Sequence, residues 1–130
     1  MAGELAGKKV LLVDDDRDIV ATIQAALADL GPEIITAGDG KQAVELAQQH
    51  QPDIVILDMM LPKRSGFLVL ERLKSGKKRT DPPRVIMITG NEGLRHREYA
   101  HSRGADFYFN KPFRMEKLLE SVMKLAQESR

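Results

Sequence analysis

Two apolar runs in this chain end in acid, and the chemistry of those acids organises the rest. Ile54-Val55-Ile56-Leu57 runs into Asp58, and Val10-Leu11-Leu12-Val13 runs into Asp14, Asp15 and Asp16. A third run, Val85 to Ile88, ends in Thr89, and a fourth, Phe107-Tyr108-Phe109-Asn110, ends in Lys111. Short β-branched runs without polar interruption read as strands buried on both faces of a parallel sheet. If all four lie parallel in one sheet, their carboxyl ends bring carboxylates, a hydroxyl and an ammonium to one rim, where ligands of open α/β sheets bind. Carboxylates crowded in this way repel one another and favour a hard divalent cation with oxygen ligands. A carboxylate is also a competent nucleophile toward phosphorus.

The segments between the runs are helical by their spacing. Ile19, Val20, Ile23, Ala26, Leu27 and Leu30 form one apolar stripe, and Gly31-Pro32 stops it. Glu33 to Thr36 reads as a short strand at a sheet edge. Asp39-Gly40-Lys41-Gln42 carries a capping-box pattern, and Ala43, Val44 and Ala47 give the second helix an inner face that closes at Gln51-Pro52. Ser65 caps a third helix with Phe67, Leu70 and Leu73 on its buried side, ending at Ser75-Gly76. The fourth helix, Leu94 to Arg103, is mostly polar and has few residues to anchor it. The last helix has a clean stripe of Met115, Leu118, Leu119, Val122 and Leu125. Strand and helix alternate five times, which predicts a parallel sheet with helices on both faces and right-handed crossovers.

The whole-chain properties bound the function. The chain has 130 residues, the size of one domain with a real core, and no cysteine, which excludes disulfides, thiolate metal sites and cysteine nucleophiles. Its net charge is +1, with acids and bases interleaved, so no basic field recommends nucleic acid as a direct partner. No run approaches the roughly 20 apolar residues of a membrane span, and the start lacks a signal-peptide core, so a cytoplasmic setting is expected. Lys77-Lys78-Arg79 is read as a solvated loop, and Arg95, Arg97 and Arg103 as a wet helix face. His50, His96 and His101 are scattered without metal spacing and read as surface residues. There is neither a P-loop nor a dinucleotide fingerprint.

Val13-Asp14-Asp15, Leu57-Asp58, Pro62, Gly66, Thr89-Gly90 and Lys111-Pro112-Phe113, in this order, resemble the receiver domain of two-component response regulators, the fold of the bacterial chemotaxis regulator. The resemblance covers about Lys9 to Lys124. It implies one doubly wound, flavodoxin-like sheet of five parallel strands in the order 2-1-3-4-5. Residues 9–126 would form the receiver, 1–8 a flexible lead-in and 127–130 a tail. It also implies a signalling phosphoacceptor rather than an enzyme. On this resemblance Asp58 would take a phosphoryl group from the phosphohistidine of a sensor kinase or phosphotransfer protein, and the domain would assist its own phosphorylation and dephosphorylation. Mg²⁺ would be held by Asp14, Asp15, Asp58 and the backbone carbonyl of Met60. Thr89 would donate its hydroxyl to the phosphoryl group, and Lys111 would pair with it. Thr89 drawn inward would make room for the ring of Tyr108, changing the face that the last helices offer to a downstream protein or domain. Met60 and Asn91 lie near the attacking water in this family, which leaves phosphoryl lifetime open. The chain is either a free-standing receiver or part of a longer protein.

Taken singly, each piece has a plainer explanation. Asp14 to Asp16 could be an acidic helix start favoured by the macrodipole, with Asp16 its cap, and Lys111 a solvated lysine. Their joint placement at strand ends outweighs these. Two other classes fit parts of the pattern. One is a module on the same fold that docks without phosphorylation. The other is a haloacid-dehalogenase-type phosphatase built on Asp14-x-Asp16, which departs from that motif because Arg17-Asp18 follows.

Overall fold

The computed structural model describes residues 3–61, 65–90 and 94–128, the side chains of Leu94 and Arg95 excepted. Ten elements alternate: β1 (Lys9–Val13), α1 (Arg17–Ala28), β2 (Glu33–Ala37), α2 (Gly40–His50), β3 (Ile54–Asp58), α3 (Gly66–Lys74), β4 (Arg84–Thr89), α4 (Leu94–Ser102), β5 (Phe107–Asn110) and α5 (Met115–Glu128). All neighbouring strands pair parallel, in the order β2-β1-β3-β4-β5. The expected doubly wound, five-stranded sheet is therefore what forms. β2 sits at an edge with two half-buried isoleucines, as its composition suggested.

Strand periodicity splits the core in two. Leu11, Val13, Val55, Leu57, Val85 and Met87 face α2 and α3, meeting Val44, Val69 and Leu70. Val10, Leu12, Ile54, Ile56, Ile86 and Ile88 face α1 and α5, meeting Ile23, Leu27, Leu118, Val122 and Leu125. Each such side chain contributes about 1.5–3 kcal/mol of burial, enough to hold the strand ends in register. The helix starts follow the expected chemistry. Asp39 Oδ1 accepts from Gln42 N–H at 2.8 Å, and the Gln42 side chain reaches Gly38 N–H at 2.9 Å.

Three departures from the sequence reading have clear physical causes. Residues 3–8, expected as a flexible lead-in, make a turn in which Leu5 is fully buried and its N–H donates to Leu30 carbonyl at 2.9 Å. α5 continues to Glu128, past the expected domain end at 126. The basic loop after α3 is built rather than merely solvated. The Lys74 ammonium donates to the carbonyls of Arg79, Asp81 and Pro83 at 2.9, 2.6 and 3.0 Å. Burial pushes its pKa below the usual lysine range. Its stem lies under Gly104, whose φ of +107° disfavours a side chain and where a Cβ would stand 3.2 Å from Lys74 Cγ. Arg84, 2% exposed, grips Asp106 with two nitrogens at 3.1 and 2.8 Å and reaches Glu128 at 3.1 Å.

α4 forms where expected, and Ala100 is the fully buried residue among its described side chains. Side-chain contacts hold it. Phe67 of α3 stacks on His96 and meets Tyr99 edge-on, so His96 is half-buried rather than a surface residue. Tyr99 Oη donates to Glu71 at 2.7 Å. No helix among the described residues is long and apolar enough to cross a membrane.

Candidate functional site

The carboxyl ends of β1, β3, β4 and β5 put the singled-out residues on one rim. β1 ends one residue before Asp14, whose N–H is tied to Ala37 carbonyl of β2 at 3.2 Å and whose side chain is 3% exposed. Asp15, next in the chain, is exposed. Asp16 turns away from the rim. Its Oδ1 accepts from the N–H groups of Asp18 and Ile19 at 3.0 and 3.3 Å, so it is the α1 cap. Asp58 closes β3 with its side chain 4% exposed. Its Oδ1 accepts from Met60 N–H at 3.1 Å, which fixes the carboxylate against the start of the following loop.

Carboxylate oxygens of Asp14, Asp15 and Asp58 lie within 4.8 Å of one another. The Lys111 ammonium reaches Asp14 Oδ2 at 3.0 Å and Asp58 Oδ2 at 3.4 Å. Among the described residues, Lys111 is the cation paired with this acid cluster, through Asp14 and Asp58. Burial raises the Asp58 pKa from 3.8 to about 6, with the Asp14 charge adding to the rise, against the Met60 N–H and Lys111. Burial opposes the charged form of Lys111, but the hydrogen bond to Asp14 and the Asp58 charge outweigh it and hold its pKa above the usual lysine range. A buried carboxyl pushed upward beside a second acid is the signature of a group that lacks enough positive charge. The donor set, oxygen only and anionic, suits a hard divalent cation such as Mg²⁺.

Thr89 ends β4, fully buried, and its carbonyl accepts from Lys111 N–H at 2.7 Å, which sets where the lysine leaves the sheet. Tyr108 pairs with Met87 across the β4–β5 ladder, so strand alternation puts Tyr108 and Thr89 on the same sheet face. The Tyr108 ring is buried at 6% exposure, its hydroxyl 3.8 Å from Met59 Sδ. Burial raises its pKa above the ordinary phenol value. The fold thus assembles Asp14, Asp15, Asp58, Thr89 and Lys111 and places Tyr108 one layer behind them. Met60 contributes backbone, while its side chain is 59% exposed. Asn91 and Pro62 lie outside the described residues.

Gly66, among the residues that carry the resemblance, has a steric reason here, whereas Arg97 was not visible in the pattern of residue types. Gly66 is needed because a Cβ there would stand 2.4 Å from Asp58 carbonyl and 2.5 Å from Met59 Cα. Its N–H donates to Met59 carbonyl at 2.8 Å, closing the loop after β3. Arg97, read as part of a wet face, places its guanidinium carbon 5.5 Å from the Tyr108 ring centroid.

The response regulator receiver domain family matches residues 10–123. The Synechocystis DNA-binding dual master transcriptional regulator RpaA is 36% identical over 121 residues, 93% of this chain and 50% of that protein. The alkaline phosphatase synthesis transcriptional regulatory protein PhoP of Bacillus subtilis is 34% identical over 122 residues, 94% of this chain and 50% of that protein. The chain spans about half the length of these curated relatives. Among solved structures, the receiver domain of the Francisella response regulator 1452 superposes with a TM-score of 0.83 at 28% identity, covering 93% of this chain and 98% of that one. A CheY-like receiver domain from Methanospirillum hungatei gives 0.80 at 28% identity, covering 93% and 95%. With the fold, the rim and these likenesses in agreement, the chain belongs to the response regulator receiver domain family of two-component signalling.

Proposed function

We propose that Asp58 is the phosphoacceptor of this receiver and takes its phosphoryl group from the phosphohistidine of a sensor kinase or phosphotransfer protein. The observation that carries this reading is the buried Asp58 carboxylate at a strand end, with Lys111 bridging it to Asp14 at 3.4 and 3.0 Å. An Asp58 carboxylate oxygen attacks phosphorus, the P–N bond breaks, and its electron pair returns to the imidazole nitrogen, which takes up a proton. Met60 N–H orients the carboxylate for that attack. The Lys111 ammonium stays charged and pairs with the phosphoryl oxygens, and the Thr89 hydroxyl donates to another of them. Asp14, Asp15, Asp58 and the Met60 carbonyl would hold Mg²⁺. When bound, the ion neutralises charge that develops on the phosphoryl oxygens.

The phosphoryl group carries roughly −1.5 to −2 charge beside the end of β4, in place of the single negative charge of the Asp58 carboxylate. Thr89 is drawn to it, and the cavity behind shifts the balance of Tyr108 positions, altering the α4–β5–α5 face. That Tyr108 shares the Thr89 face of the sheet supports this route. The altered face engages a downstream output protein or domain, in keeping with relatives named as transcriptional regulators. The domain acts as a signalling switch, assisting loss of its own phosphoryl group, and works in the cytoplasm. The unit, expected over 9–126, extends to the end of α5 at Glu128, with residues 3–8 packed against it.

Incubation with acetyl phosphate, with and without Mg²⁺, followed by intact mass, tests the reading. One Mg²⁺-dependent phosphoryl adduct that vanishes in Asp58→Asn is expected. No adduct with excess donor and bound Mg²⁺ would favour a docking module that works without phosphorylation. An adduct persisting in Asp58→Asn would move the nucleophile elsewhere.

A further inference from the structure

Two clasps hold the sparsely packed α4. Tyr99 and His96 bind it to α3, and Arg97 binds it to β5. The Arg97 guanidinium lies over the Tyr108 ring, and its Nη2 donates to Asn110 Oδ1 at 3.2 Å, two residues further along the strand. That bond fixes the guanidinium along β5. A planar cation over an aromatic face is held by the ring quadrupole, and lysine does this less well because it lacks the plane and the second donor. Arg97 is itself exposed while the ring beneath it is buried, so the arginine forms the outer layer over the ring.

We propose that Arg97 is a positioning residue that acts as the lid of Tyr108. With α4 seated the ring is covered, and displacement of α4 from β5 uncovers it for a protein partner. The consequence for signalling rests on the role given above to Tyr108, whereas the lid itself can be tested without any partner.

The chain has two tyrosines and no tryptophan, so Tyr99→Phe leaves Tyr108 as the only strong emitter. Acrylamide is neutral, and quenching of Tyr108 fluorescence by it is unaffected by the charge at position 97. In the Tyr99→Phe chain, Arg97→Ala is expected to lower the ratio of covered to uncovered ring about two- to fivefold, read as a higher quenching constant. Arg97→Lys falls between, since it keeps the charge and loses the plane. Tyrosine-labelled NMR of the chain with Tyr99 intact should report the same order for Tyr108. Equal quenching with Arg, Lys and Ala at position 97 overturns the lid. Raised quenching in Arg97→Ala, together with no response of the Arg97 chain to phosphorylation by acetyl phosphate, leaves the lid standing and overturns the switch role of Tyr108.

Discussion

Asp58→Asn should stabilise the metal-free protein at neutral pH, although it removes the residue to which the chemistry is assigned. The Asp58 carboxyl has a pKa of about 6 in the fold, against an ordinary 3.8. For an acid whose folded pKa is raised, the stabilising contribution is full below the unfolded pKa and is lost as pH rises through the folded one. Here the window runs from 3.8 to about 6, and by linkage the loss above it is about 3 kcal/mol. Asparagine keeps an acceptor for Met60 N–H and carries no charge. Lys111 loses its 3.4 Å partner but keeps Asp14 at 3.0 Å. Allowing about 1–2 kcal/mol for that lost partner, the net gain is about 1–2 kcal/mol, a Tm rise of roughly 3–8 °C. Urea unfolding in EDTA, followed by circular dichroism, measures it. The variant should be the more stable near pH 8, and the gap should narrow below about pH 6 and close near pH 4. A variant no more stable than wild type near pH 8, or a gap that ignores pH, would refute the claim that Asp58 is held charged against its surroundings.

Three further outcomes follow from the same structure. Mg²⁺ at a hundred times its Kd should stabilise the wild type by about 2.7 kcal/mol in the same unfolding assay, and Asp58→Asn should lose most of this shift. Gly66→Ala should cost about 1–3 kcal/mol and slow adduct formation with acetyl phosphate, because the new Cβ meets backbone atoms of Asp58 and Met59 at 2.4 and 2.5 Å. Leu5→Ala should cost about 2–4 kcal/mol by thermal or urea unfolding, and no measurable cost would mean that the first residues do not pack as described.

What was legible in the sequence was what local periodicity carries. The unbroken run before Asp58, the stripes of α1 and α5 and the caps at Asp39 and Ser65 are written in neighbouring residues, and the fold follows from their order. The rim was legible because each of its side chains ends or follows a strand, so topology alone brings them together. What stayed hidden depends on distant partners. Leu5 is a lone leucine among small residues and has no period. Lys74 and Arg84 look like solvent-facing cations until a loop of carbonyls and a buried Asp106 close around them. Arg97 sits in a polar helix whose composition says only that it is wet, and its neighbour Tyr108 is 11 positions away, on another element.

The Lys74 cage and the Arg84 clamp give the two rims of the sheet different responses to the ionic medium. At the amino-terminal rim an ammonium is satisfied by carbonyl dipoles, and the Arg84–Asp106 pair is sealed with both side chains 2% exposed. Dissolved salt screens such buried contacts much less than exposed ones. At the opposite rim, among the described residues, the carboxylates of Asp14, Asp15 and Asp58 gather around Lys111, so that cluster responds to the cations present. Added salt therefore leaves the contacts of the amino-terminal rim in place, while the acid cluster at the other rim changes with the cations supplied.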